Sequence, residues 1–146
     1  MATYTKFQGF IEHLAHGVHN FASDAITVAL TNTAPSASLS TANTILSQIT
    51  EIDYTYCSSR LLSNNISVLW PLSPYYYKFA ADPEAVILTA SGGSVGPFRY
   101  AVLYNDTPSS PLNPMICFFD YGASITLNDG ESVILDFDTG GIYQLL

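Results

Sequence analysis

Eight short runs rich in β-branched and aromatic residues, each bounded by turn-forming residues, leave this chain few architectures. They are "AITVALT", "ISVLW", "AVILTA", "FRYAVLY", "MICFFDY", "SITL", "SVILDF" and "IYQLL", all after residue 24 and none longer than seven residues. Asn, Pro, Gly, Ser and Asp separate them, so each run has the length and punctuation of a strand rather than a helix. No helical segments alternate with them, which excludes crossover units and a parallel sheet. In "LNDGES" the pair Asp129-Gly130 stands between two runs, the two-residue signal of a tight hairpin. Ahead of the strands, "YTKFQGFIEHLAHG" places Phe7, Phe10, Ile11 and Leu14 at helical spacing, with Gly17 where a helix stop belongs. The expected fold is mainly β: an antiparallel β-sandwich, jelly-roll-like or barrel-like, with one N-terminal α-helix over about 4–17. A single domain over residues 1–146 is expected, with "TAPSASLSTAN" and "LSPYYY" as loops and no internal repeat or linker.

Several strands carry apolar residues on both faces. In "FRYAVLYND", alternation puts Phe98, Tyr100, Val102 and Tyr104 on one side and Ala101 and Leu103 on the other, so neither side is written for water. "MICFFDY" behaves alike. One small sandwich has one interior, so the second apolar face needs cover from the helix, from loops or from another subunit. Phe98, Val102, Leu135 and Phe137 are the expected core.

Composition narrows the partners. Hydrophobic residues make up 48% of the 146 and charged ones 11%, so most polar surface is neutral. Four basic residues against twelve acidic ones give a net charge of -8, which repels nucleic acid and anionic membranes. No apolar run approaches the roughly 20 residues of a spanning helix, and "MATYTKFQGF" lacks the basic and apolar regions of a signal peptide. The chain is expected to be soluble and unprocessed. Cys57 and Cys117 are too few and too far apart for a disulfide scaffold or a zinc site, and free, partly buried thiols are expected.

The glycines of "GGSVGPFRYAVLYNDT" invite a phosphate-loop reading, but such a loop needs a helix after it to supply amides and dipole. A β-rich run follows instead, so the glycines read as a turn. His13, His16 and His19 fan over about 120° of a helix surface rather than lying four apart, so no metal site is expected and the rings should face solvent or cap the helix. Asp136 and Asp138 share a strand face and, with Asp120, read as a solvated acidic surface with Arg99 as ion-pair partner; no calcium loop accompanies them. No serine elbow or cysteine motif is present, so no catalytic residue and no cofactor is assigned. Trp70, Tyr75, Tyr76 and Tyr77 are the aromatic residues best suited to meet a partner, although consecutive tyrosines alternate faces and do not make one platform.

Five stretches together carry a resemblance: "YTKFQGF" (4–10), "ITVALTNTAP" (26–35), "ITEI" (49–52), "LTASGGSVGPFRYAVLYNDT" (88–107) and "DYGASITLNDGESVILDFD" (120–138). In them the chain resembles a family of small bacteriophage virion structural proteins often encoded among head genes. The resemblance covers most of the chain and implies a structural role as a capsid decoration or cement protein on the virion. It implies the major capsid protein and further copies of the chain as partners, in a homo-oligomer. It carries no catalytic residues over. The segment Ser58 to Phe79 is more apolar than the family pattern and is expected to serve the particular partner. A tail or fibre component and a carbohydrate-binding β-sandwich module are the alternatives the same composition permits.

Overall fold

The computed structural model describes residues 2–37, 44–62, 66–69, 77–81, 86–135 and 143–145. The chain runs β1 (Thr3–Lys6), α1 (Gln8–Ala15), β2 (Ile26–Thr31), β3 (Ile66–Leu69), β4 (Tyr77–Ala81), β5 (Val86–Thr89), β6 (Val95–Asn105), β7 (Met115–Leu127), β8 (Ser132–Leu135) and β9 (Tyr143–Leu145). It is mainly β, antiparallel and sandwich-like, with one helix near the N-terminus, as the strand pattern requires. A four-stranded sheet in the order β1-β7-β6-β2 forms one layer; β5 pairs with β8, and β3-β4-β9 make a third sheet. The outer edge of β2 is closed by the segment 60–62, whose Leu62 N–H donates to Ile26 O at 2.7 Å while Val28 N–H donates to Arg60 O at 2.9 Å. Pairing this edge removes a row of free backbone groups that would otherwise recruit another chain.

The central sheet is apolar on both faces, and the chain covers both itself. On one face Val28, Leu30, Ala101 and Leu103 pack against Val86 and Leu88 of β5, with Phe10 and Leu62 closing the ends. On the other face Ala29, Tyr100, Val102, Tyr104 and Phe118 are capped by Phe7 and by Leu46 of the short helical turn Leu46–Gln48, with Ala37 and Ile49 packed alongside. The cover that the two-faced strands demanded comes on one face from β5 and Phe10 and on the other from Phe7 and a loop. Each large side chain so buried contributes roughly 1.5 to 3 kcal/mol.

The start of the helix differs from its expected place. Residues 4 to 6 belong to β1, which pairs with β7 in the register Tyr4 to Phe119 and Lys6 to Cys117, and α1 begins at Gln8 after an extended Phe7. The exposed β7 edge takes the β-prone Thr-Tyr-Thr triplet, and pairing overrides the weak helical periodicity. Phe7 and Phe10 look like one helical stripe in sequence, yet they enter opposite clusters, because the chain crosses the sheet edge between them. The stop is where Gly17 places it. Val18 N–H donates to His13 O at 2.9 Å and Gly17 N–H to Leu14 O at 3.1 Å, with Gly17 at φ +71°, the paired closing bonds of a left-handed C-terminal cap. Nothing lies near the absent Cβ, so backbone conformation alone selects glycine. Gly17→Ala is expected to cost about 1 kcal/mol, read as a fall in Tm of roughly 3 °C. An unchanged Tm would show that the cap does not depend on this glycine.

Three further expectations are corrected by the sheet. "MICFFDY" and "SITL" are one strand, β7, bent between them where its register with β6 shifts from Tyr100–Asp120 to Phe98–Ile125 around Gly122 at φ +90°. That shift also moves Phe98 to the face of Ala101 and Leu103, away from Tyr100, Val102 and Tyr104, since a slip in a period of two exchanges faces. Asp129-Gly130 turns the chain but makes no hairpin: β8 leaves β7 and pairs with β5, in the register Ile87 to Ile134. Ala90 supplies the template, accepting from Gly130 N–H and donating to Glu131 O, both at 2.9 Å. Of the expected core, Phe98 and Val102 are buried and Leu135 is half-buried against the same cluster as Phe98. Phe137 lies outside the described residues.

Candidate functional site

The glycine loop holds an internal anion. Gly92, at φ +86°, donates its N–H to Asp129 Oδ1 at 2.7 Å, and a Cβ on Gly93 would overlap the Tyr56 ring. The loop then enters β6 rather than a helix. It is a packing turn, as its flanking residues imply.

An apolar surface feature lies where β8 meets β6 and β7. A cavity of about 190 Å³ opens there, lined by Phe98, Ala101, Phe119, Tyr121, Ile125 and Ile134 among others. Ile134 is 58% exposed and stands directly opposite Ile87, which is 52% exposed, so the outward face of the β5–β8 pair is apolar at its centre. Tyr121 and Tyr4 are exposed beside it, with the Tyr4 ring 5.5 Å from that of Phe119. Tyr4, Phe119, Tyr121, Ile134 and Ile87 thus form a strip across the rim of two sheets. Sequence reading missed it. The signal was present in "AVILTA" and "SVILDF", whose alternation assigns Ile87 and Ile134 to the side opposite Leu88 and Val133, but an outward isoleucine looks the same as a core one until pairing is known.

Beside the cavity Arg99 and Asp120 make the expected ion pair, two-pronged, with Nε to Oδ1 at 2.7 Å and Nη2 to Oδ2 at 2.8 Å. The Arg99 hydrogen bonds hold the Asp120 carboxyl below the usual carboxylate range, assisted by the Gly122 N–H at 2.7 Å. Both side chains are committed to each other at a partly exposed site, which orients them without adding much stability. Asp136 and Asp138 lie outside the described residues.

The three histidines do not share one environment. His16 is exposed, but His19 is buried at 8% exposure and His13 is half-buried, against the expectation that all would face solvent or cap the helix. The chain beyond Gly17 leaves the helix direction and carries His19 under α1, where it stacks on Phe21 at 5.5 Å and meets Phe10 at 5.2 Å. Its Nδ1 lies 3.2 Å from Asn105 Nδ2, a contact no sequence spacing foretells. Among the described residues, no group of three or more His, Cys, Asp or Glu is placed to hold a metal ion. A thermal melt of the purified chain is expected to be unchanged by zinc or calcium, and a clear rise in Tm would assign these groups to a metal instead.

A second, half-buried polar group joins β2 to the segment 51–60. Tyr54 Oη accepts from Leu30 N–H at 2.8 Å and donates to Glu51 Oε2 at 2.8 Å, while the Arg60 guanidinium sits 3.6 Å over the Tyr54 ring and donates to Val28 O. Burial first, then the Glu51 contact, pushes the Tyr54 hydroxyl far above its usual range. The group acts as a clasp, with every polar end satisfied. Cys117 is fully buried rather than partly so, and Cys57 is half-buried; burial raises both thiols, so neither offers a thiolate at neutral pH.

Of the aromatic residues proposed for partner contact, Trp70, Tyr75 and Tyr76 lie outside the described residues, and Tyr77 opens β4 opposite Leu145. The chain matches no family model, no curated protein and no solved structure.

Proposed function

We propose that this chain is a structural protein of a bacteriophage virion, of the capsid decoration or cement type, which attaches to the outer surface of the major capsid protein shell and to copies of itself. The observation that carries the reading is the exposed apolar strip Tyr4, Tyr121, Ile134 and Ile87 on a sandwich whose own core is already closed. Apolar side chains held on paired strands, flanked by a two-pronged ion pair, make a preorganised contact surface, and attachment through it costs little ordering. The Arg99–Asp120 pair and the Tyr54 hydroxyl are engaged in structural bonds, which fits a role in adhesion. The virion context rests on the resemblance of the long glycine-to-tyrosine block, residues 88–107, to phage virion proteins. Trp70, Tyr75, Tyr76 and Tyr77 remain proposed as a further contact within Ser58 to Phe79. Copies repeated over a shell let modest single contacts hold the protein in place.

Quantitative mass spectrometry of purified particles tests this reading. Copies in numbers comparable to the major capsid protein are expected. A few copies per particle would favour a tail or fibre role, and absence from particles would remove both.

A further inference from the structure

The hydrogen bonds around Asn105 fix the protonation state of His19. Asn105 is fully buried at the end of β6, and its Oδ1 accepts from the backbone N–H of Thr107 at 3.1 Å, a group that can only donate. Its amide nitrogen therefore faces the other way, donating to Asp24 Oδ2 at 2.6 Å and toward His19 Nδ1 at 3.2 Å. His19 Nδ1 must be the acceptor nitrogen, so the proton of the neutral ring sits on Nε2. That Nε2 is buried and has no hydrogen-bond partner among the described residues, and the same holds for Nδ1 of His13, whose ring centre lies 6.1 Å away.

A second proton on His19 has no place in this arrangement. It would aim an N–H at the Asn105 amide hydrogens. Turning the amide over would strand the Thr107 N–H and set a carbonyl oxygen against the Asp24 carboxylate, which also accepts from Asn20 N–H at 2.7 Å. The titratable and charged groups that act on the ring are His13, with Glu12 on α1 and His16 just past its end beyond it, and Asp24 in the turn before β2. Asp24 favours a charged ring, but its Oδ2 is already occupied by Asn105 and Asn20. His13 opposes it, and Phe10 and Phe21 exclude water from its faces.

We propose that His19 and Asn105 form an acid-sensitive latch: uptake of one proton from solvent by His19 breaks the Asn105 contacts and releases α1 and residues 18 to 24 from the sandwich, baring Phe10 and Phe21. Above the latch the strands of the four-stranded sheet keep their own bonds, so the change is local. Burial first, and His13 second, hold the His19 ring down at about 4 from its ordinary 6.5. A lowered pKa in the closed form means that the closed form loses stability as pH falls. The latch is at full strength above pH 6.5, weakens between 6.5 and 4, and at pH 5 the closing equilibrium should have dropped roughly thirtyfold relative to pH 8.

Hydrogen exchange on the full chain, corrected for intrinsic rates, tests this at pH 8 and pH 5 alongside NMR titration of the His19 ring. Protection of the α1 amides is expected to fall roughly thirtyfold at pH 5, while amides in β2 and β6 keep theirs. In His19→Asn, which offers an oxygen near the Nδ1 position and cannot take a proton, α1 protection should be lower but nearly independent of pH over this range. Equal protection of α1 at both pH values, a His19 ring titrating near 6.5 with α1 still protected, or an unchanged pH response in His19→Asn would each overturn the latch. If His19→Asn does not fold, the wild-type titration decides alone. A rise in α1 protection on adding zinc at pH 8 would give the two orphan nitrogens to a metal and overturn it as well.

Discussion

Phe10→Ala is expected to destabilise the chain by roughly 3 to 5 kcal/mol, the largest effect of any single truncation considered. Phe10 is fully buried where α1 lies against the sheet, sharing a cluster with Leu30, Leu62 and Leu103, and its ring meets those of His19 at 5.2 Å and Phe21 at 6.1 Å. Removing it opens a cavity that helix and sheet cannot both move to fill, because α1 is held at one end by the pairing of β1 with β7 and beyond the other by the His19–Asn105 contact. For a domain of this size the loss corresponds to a fall in Tm of about 10 to 15 °C. Phe98→Ala should cost less, since Phe98 already borders the 190 Å³ cavity and packs on fewer sides. Urea unfolding of the two variants checks the order. A loss below about 1 kcal/mol for Phe10→Ala would place that ring outside the core.

Ile134→Asp and Ile87→Asp, made separately, are expected to lower occupancy on particles at least tenfold while leaving Tm within a few degrees of the parent chain. Both side chains are more than half exposed in the isolated fold, so a polar replacement costs little there. In the attached state each would be buried, and burying an isoleucine is worth roughly 1.5 to 3 kcal/mol, or ten- to a hundredfold in a single contact. A carboxylate in the same place adds a desolvation cost. The two residues face each other across β5 and β8, so either substitution tests the same patch. Full occupancy by both variants would move the contact surface elsewhere, with Trp70 and Tyr76 the next residues to change.

Strand content, antiparallel pairing and the Gly17 stop were legible in the sequence because they rest on local chemistry: β-branched runs, turn residues and a position that demands positive φ. What escaped depends on which strand lies next to which. The Asp129-Gly130 pair is a sound turn signal, yet it joins two sheets instead of two partners, because Ala90 and β5 compete successfully for β8. Phe7 and Phe10 share a helical period, but the unpaired edge of β7 draws residues 3 to 6 into a strand and sends the two rings to opposite faces. The face of Phe98 was misassigned for a related reason: one register shift against β7 exchanges in and out, and nothing in "FRYAVLY" marks it. His19 was read as a surface residue since its partners, Asn105 and Asp24, come from two different segments of chain. Two strands apolar on both sides did announce a doubly covered sheet. Who supplies the cover, the chain's own Phe7 and Leu46, could only follow from packing.

Electron microscopy of particles assembled with and without this chain tests the proposed attachment most directly. Repeated density is expected on the outer face of the head shell, present only when the chain is supplied, with β5 and β8 turned toward the major capsid protein. Density confined to the tail, or heads indistinguishable in the two preparations, would contradict it.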